Sequence, residues 1–393
     1  MKERITFATL VGLVAYAAIA TDLYLPAIPA IVEQFGRTEA DGQLTLSAFM
    51  VGIAAGQLVF GPLSDYYGRL PVVIAGTVLF MGTSVACALS PSMEFMWVAR
   101  LAQGLAAASG PVIARAMVRD RYEGNRAAQV MSILAGAMAV IPLIAPTLGA
   151  WLLIWFDWRA TYVALAIFAA LILLGLRVFD ESAPGIGQGA IGFVPVLAQF
   201  AVCLRHPRFL GYQICGTASY CAILAYLSTV SYFMVDVFEV PTAYFGYGFA
   251  ITVAGYMVGA LLCSRVVMRL GLNRTLALGT TLSLAAAIGQ WLAASSTHPP
   301  MLELAAWSFA LFLGVGFTAA NSAMGAVSLF PQNAGASSAV FGFTHSVTAA
   351  GAGLIAGQLY DGTLVPTASV ILVSALVGFL GLPLTRAPLT SAQ

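Results

Sequence analysis

Twelve stretches of roughly 20 predominantly apolar residues, separated by short polar breaks, run the length of this 393-residue chain. They fall at 5–28, 43–63, 71–90, 94–117, 127–151, 160–179, 209–232, 243–264, 273–294, 302–326, 336–359 and 366–385. A bilayer offers no water to backbone N–H and C=O groups, so stretches of this length can cross it only as helices. The pattern predicts an all-α integral membrane protein with twelve transmembrane helices. Composition agrees, because only 8% of the residues are charged where soluble domains carry roughly a quarter. A soluble enzyme is excluded on that ground. The net charge of +1 suggests no nucleic-acid partner. Cys87, Cys203, Cys215, Cys221 and Cys263 lie in or beside apolar stretches without metal-ligand spacing, so free buried thiols and no metal are expected. The apolar run behind Lys2 and Arg4 is longer than a secretory signal core and has no convincing A-x-A cleavage site before Asp22, so it is expected to persist as the first span.

Basic residues give the orientation. With the N-terminus inside, Lys2, Arg4, Arg69, Arg115, Arg119, Arg121, Arg126, Arg177, Arg205, Arg208, Arg265, Arg269, Arg274 and Arg386 fall on the inner side, and only Arg37 and Arg159 in outer loops. Both termini are then cytoplasmic. The longest interruption, 180–208, opens with the flexible ESAPGIGQG and continues through an apolar stretch at 194–204 that ends in Arg205 and Arg208. It reads as a linker with a short helix lying on the membrane face. The expected organisation is an N-terminal six-helix bundle (1–179), the cytoplasmic linker (180–208) and a C-terminal six-helix bundle (209–393). The turn GPLSDYYGRLP after span two and CSRVVMRLGLNR after span eight are both short, basic and glycine-containing. They echo one another as duplicated halves would, and such repeats place a binding site near mid-membrane between the halves.

One carboxylate interrupts the spans. Asp22 lies in AIATDLYLPAIP (18–29), and an ionisable group in hydrocarbon is costly enough to imply function. Pro26 and Pro29 are expected to end its helix, leaving Asp22 a few residues from the outer surface. Arg100, about six residues into span four, is expected in the same layer. Burial favours the neutral acid and a nearby guanidinium the carboxylate, so the pair could titrate as a proton site.

Several motifs then appear in order along the spans. GPLSDYYGRL (61–70) resembles the glycine–x–x–x–aspartate, glycine–arginine loop of the major facilitator superfamily, RLAQG (100–104) the span-four arginine motif of its proton-coupled members, and IPLIAPTLGAWL (141–152) the span-five motif of its antiporters. TDLYLPAIP, VRDRYEG (118–124) and LFPQNAGASSA (329–339) resemble the bicyclomycin/chloramphenicol-resistance (Bcr/CflA) branch of drug exporters. The resemblance covers nearly the whole chain. It implies the major facilitator fold, two pseudo-symmetric six-helix bundles, and proton-coupled efflux of small amphipathic drugs of phenicol or bicyclomycin type. Transport would run by alternating access across a bacterial inner membrane, in a monomer, with the proton gradient as energy source and no cofactor. The chain departs from the pattern at Tyr66 and Leu70, where the loop usually carries basic residues, and at Val14, where some relatives carry a second acid.

Proton coupling is assigned to Asp22 and Arg100. Asp65 and Arg69 form an expected cytoplasmic gate, with Asp65 capping span three. Pro142, Pro146 and Gly149 give span five a bent, closely packed hinge. Asp22, Tyr24, Gln213, Tyr220, Tyr226, Asn321, Phe343 and His345 are the candidate substrate contacts, an apolar wall with few hydrogen-bonding groups; His345 and Arg115 are further candidates for coupling and contact. The competing readings are a metabolite carrier of the same fold, for nucleosides or sugars, and a passive facilitator. A membrane enzyme would need clustered His, Asp or Glu, and two of the three histidines, His206 and His298, fall in loops. An ion channel would want a short pore motif, and none is present.

Overall fold

The computed structural model describes residues 2–122, 124–182, 200–241, 245–296, 301–330 and 334–386. It is all-helical, with no strand among the described residues. In chain order come α1 (Lys2–Asp22), a 3-10 turn (Leu25–Ala27), α2 (Ile28–Phe35), α3 (Glu39–Tyr67), α4 (Arg69–Ala88), α5 (Met93–Ala107), α6 (Ser109–Arg121), α7 (Gly124–Trp155) and α8 (Arg159–Leu176). After the linker follow α9 (Pro207–Tyr232), a π-helical turn (Phe233–Val237), α10 (Phe245–Leu270), α11 (Leu272–Ala294), α12 (Met301–Ser328), α13 (Ala334–Leu359), α14 (Val365–Gly381) and a 3-10 turn (Leu382–Arg386). Among the described residues, eleven helical stretches are long and apolar enough to cross a bilayer, counting α1 with α2 and α5 with α6 as one each. The 32-residue α7 stands where the sequence places span five. Residues 183–199 lie outside the described residues, so of the interfacial helix expected at 194–204 only 200–204 is described, and it is helical. Glu123 of VRDRYEG and 331–333 of LFPQNAGASSA also lie outside.

The chain divides into two compact units, Met1–Phe193 with Val240–Tyr247, and Val194–Glu239 with Gly248–Gln393. Each contains the same kind of helix crossing. In the first, a Cβ on Gly52 of α3 would stand 2.1 Å from the Leu101 carbonyl oxygen of α5, and one on Gly104 would stand 2.0 Å from that of Phe49. In the second, Gly255 of α10 lies against the Phe309 carbonyl of α12, and Gly316 against that of Tyr256. Small residues let the two backbones touch where lipid supplies no hydrophobic drive for association. The crossing recurs between corresponding helices of the two units.

The first span differs from expectation. The α-helix stops at Asp22, because Pro26 has no N–H to give the Asp22 carbonyl and its ring crowds that oxygen. The chain turns through Leu23 and Tyr24, whose carbonyl accepts from Ala27 N–H at 2.9 Å. It then becomes helical again through Phe35. Pro26 and Pro29 are the second residues of the 3-10 turn and of α2, in a first turn where a missing N–H costs nothing, so they start helix as well as stop it. The crossing therefore runs from Arg4 to Phe35, and Asp22 lies well inside it, roughly 20 Å along the chain from Phe35. Gly36 (φ 59°) ends α2, and a capping box of Thr38 and Asp41 starts α3.

Candidate functional site

Asp22 is 5% exposed at the break in α1. Among the described residues no cation lies within ion-pair distance of it. α7 closes over the break: a Cβ on Gly149 would stand 2.1 Å from the Leu23 carbonyl oxygen. Pro142 and Pro146 lie inside the same helix, and Pro146 is buried.

Arg100 of α5 is fully buried and reaches the same turn. Its Nη1 donates to the Ala20 carbonyl (3.3 Å), two residues before Asp22, and to Gln103 Oε1 (2.7 Å). The guanidinium carbon lies 4.2 Å from the Phe49 ring centroid, 4.4 Å from that of Tyr24 and 5.9 Å from that of Tyr162. Aromatic faces attract a desolvated cation, so rings from α3, the α1 break and α8 surround this charge where a carboxylate was expected. Gln103 Nε2 donates onward to Ser84 Oγ at 2.8 Å, tying α5 to α4. Tyr24 and Thr45 hydroxyls are hydrogen-bonded, and Tyr162 donates to Met96 Sδ at 3.7 Å. Arg100 Nε and Nη2 have no hydrogen-bond partner among the described residues. Asp22 and Arg100 thus form no ion pair; the link between them is the Ala20 carbonyl. Gln103, three residues after Arg100 and so on the same helix face, was missed, though that spacing could have found it.

The α3–α4 turn is built differently from expectation. Asp65 does not cap α4. Glu181 does, accepting from Arg69 N–H and Leu70 N–H at 2.9 Å each, one per carboxylate oxygen. A carboxylate on the first N–H groups of a helix is favoured by both hydrogen bonding and the helix dipole. Gly68 has φ +99°, and a Cβ there would stand 2.6 Å from Glu181 Oε2, so only glycine suits the turn. Arg69 is buried and pairs with Asp65 and, through Nε at 2.8 Å, with buried Asp120 of α6; its Nη1 also donates to Ser64 Oγ at 2.8 Å. Asp65 itself is mostly exposed. The partners from Glu181 and Asp120 carried no local sequence signal.

In the second unit three expected contacts come together. Gln213 Nε2 donates to Thr217 Oγ1 (2.8 Å) and to the Phe341 carbonyl (3.3 Å), and its Oε1 has no partner among the described residues. His345 stacks on Tyr220 with ring centroids 4.1 Å apart and on Phe341 at 5.5 Å, and its Nδ1 has no hydrogen-bond partner among the described residues. The other three lie apart from this group. Asn321 Nδ2 donates to the Phe317 carbonyl one turn back (2.7 Å) and to Cys263 Sγ, a packing arrangement. Phe343 packs edge-on against Phe200 of the linker helix at 5.6 Å. Tyr226 packs edge-on against Phe233 and Phe312.

Residues 10–354 match the family model described as Major Facilitator Superfamily. An uncharacterised MFS-type transporter of Bacillus subtilis, YdgK, is 28% identical over 96% of this chain and 95% of its own length. A bicyclomycin resistance protein homolog of Haemophilus influenzae is 24% identical over 88% of this chain and 87% of its own. The crystal structure of the human organic anion transporter MFSD10 superposes with a TM-score of 0.71 at 19% identity, covering 98% of this chain and 99% of that one, a likeness of fold. A multi-pass helical membrane protein that matches this model over most of its length is a transporter rather than an enzyme, and the chain belongs to the major facilitator superfamily.

Proposed function

We propose that this transporter exports small amphipathic drugs, of phenicol or bicyclomycin type, in exchange for protons, with Asp22 as the protonation site. The observation that supports this most is Asp22 itself: an acid buried at a helix break with no counter-charge among the described residues, two residues after the carbonyl that the Arg100 guanidinium holds. An ionised Asp22 in this setting is an unpaired buried charge, a cost of several kcal/mol. Taking up a proton removes that cost. Releasing it calls for a partner, which Arg100 or a bound substrate can supply. Proton and substrate therefore exclude one another around the α1 break, and alternating access couples their opposite movements. Gln213, Tyr220 and His345 are the proposed substrate contacts of the second unit, where two unsatisfied polar atoms face an otherwise apolar and aromatic surround. The resemblance of this chain to a bicyclomycin resistance homolog supports the substrate class. The proton gradient supplies the energy without a cofactor. The protein works as a monomer in a bacterial inner membrane with both termini in the cytoplasm.

The test is proton movement in proteoliposomes given phenicols, bicyclomycin and nucleosides, for wild type and Asp22→Asn. Drug-dependent proton flux in wild type, lost in a folded Asp22→Asn protein, is the expected result. Drug flux without proton movement, or flux indifferent to Asp22, overturns it in favour of a facilitator. A response to nucleosides alone makes the protein a metabolite exporter.

A further inference from the structure

The second unit contains a cavity separate from the Gln213–Tyr220–His345 group. It lies among α9, α10, α11, α12 and the start of α14, beside the π-helical turn, with about 60 Å³ of free space. A single water needs roughly 10–15 Å³ on such a measure, so the space exceeds a water several-fold. Most of the wall is apolar, with Phe233, Met234 and Leu304 inside and Ile251 and Met301 at an exposed rim. One side is polar. Tyr226, Thr252 and Ser308 line it together, and Gln290 Nε2 donates to Ser308 Oγ at 3.3 Å. Gln290 is 7% exposed, lines the cavity, and its Oε1 has no hydrogen-bond partner among the described residues. A buried acceptor left unsatisfied is costly.

The backbone beside the cavity is unusual in the same place. Phe238 N–H donates to the Phe233 carbonyl five residues back at 3.1 Å, and Glu239 follows with φ +51°. Single π turns occur preferentially at functional sites, where they re-aim side chains. Here the turn aims Phe233 and Met234 into the cavity.

We infer that this cavity is a binding site for the hydroxyl end of a small apolar alcohol or phenol, whose O–H donates to Gln290 Oε1 while its apolar remainder leaves over Ile251 and Met301. The chemistry selects a donor. The unsatisfied atom, Gln290 Oε1, is an acceptor, so a group that only accepts hydrogen bonds leaves it as it was. Site and transport are separate claims, since nothing in the cavity involves Asp22.

The test uses the full chain in nanodiscs with ¹³C-methyl methionine, 1-hexanol as probe, and 1-methoxypentane as an ether of equal heavy-atom count without a donor. Met234 and Met301 line the cavity, and exposed Met324 does not. Saturable shifts of Met234 and Met301 are expected with 1-hexanol, at a concentration about tenfold lower than the ether requires. Gln290→Leu should erase the difference between the probes, Ala305→Phe should block both, and Asp22→Asn should change neither. Met324 reports non-saturating partition throughout. Equal responses to the two probes in wild type, or shifts that follow Met324, overturn the inference. So does an unresponsive Met234 in wild type, which makes the cavity a water pocket.

Discussion

Gly149→Ala probes the contact that holds α7 on the broken first span. The added Cβ would stand 2.1 Å from the Leu23 carbonyl oxygen, against the 3.4 Å at which ordinary contact begins, so the backbones must part by about 1.3 Å. Overpacking of this kind costs about 1–3 kcal/mol. Gly82→Ala in α4 is the matched control, because nothing lies within 4 Å of its added Cβ. There, losing a mid-helix glycine gains about 0.5–1 kcal/mol. The two substitutions should therefore differ by roughly 1.5–4 kcal/mol in opposite directions. Thermal unfolding of both proteins in one detergent measures the gap. Proteoliposome efflux is expected to fall in Gly149→Ala and persist in Gly82→Ala, since the displaced carbonyl belongs to the residue next to Asp22. Equal stabilities would refute the reasoning, showing that α7 absorbs a side chain without moving.

The α3–α4 turn should rank its acids by burial. Asp120→Asn breaks a buried pair with Arg69 and should cost about 3–5 kcal/mol; Glu181→Gln weakens two capping bonds and should cost about 1 kcal/mol; Asp65→Asn, on an exposed carboxylate, should cost little. Thermal unfolding of the three variants checks the order, and Asp65→Asn as the most damaging would reverse the assignment. Arg100→Lys keeps the charge but loses the planar group that lies over Phe49 and Tyr24, and should destabilise by about 2 kcal/mol. Wild-type stability in that variant would show that charge alone matters at this position.

Helix type and order were legible because hydrocarbon forces each apolar run of about 20 residues into a helix whatever its neighbours do. Asp22 stood out for a related reason, as a charge where charges are costly. The end of the first span did not follow, because a proline reads the same whether it stops one helix or starts another, and only the α-helical course of Ile28–Phe35 distinguishes the cases. The Arg100 surround was illegible for a different reason. Tyr24, Phe49 and Tyr162 come from three separate helices, and no spacing along the chain links them. Glu181 is the extreme case, lying 112 residues from the amide it caps, so the local rule assigned that place to nearby Asp65. The candidate contacts of the second unit parted along similar lines. Their polarity in apolar helices marked them all, yet which atoms are left unsatisfied depends on rotamers and crossing angles.

The α1 break also has a consequence for biosynthesis. Arg4–Phe35 enters the membrane as one hydrophobic segment with an acid in its interior, against an insertion penalty of about 3 kcal/mol for a central aspartate. Pro26 leaves the Asp22 carbonyl without its helical donor, and the helix that packs over the adjacent Leu23 is made much later in the chain. At ordinary synthesis rates that interval is on the order of 10 s. For that time the nascent span carries its acid and its opened backbone without α7 beside it. A chain stalled before Gly149 is therefore the form most exposed to membrane quality control.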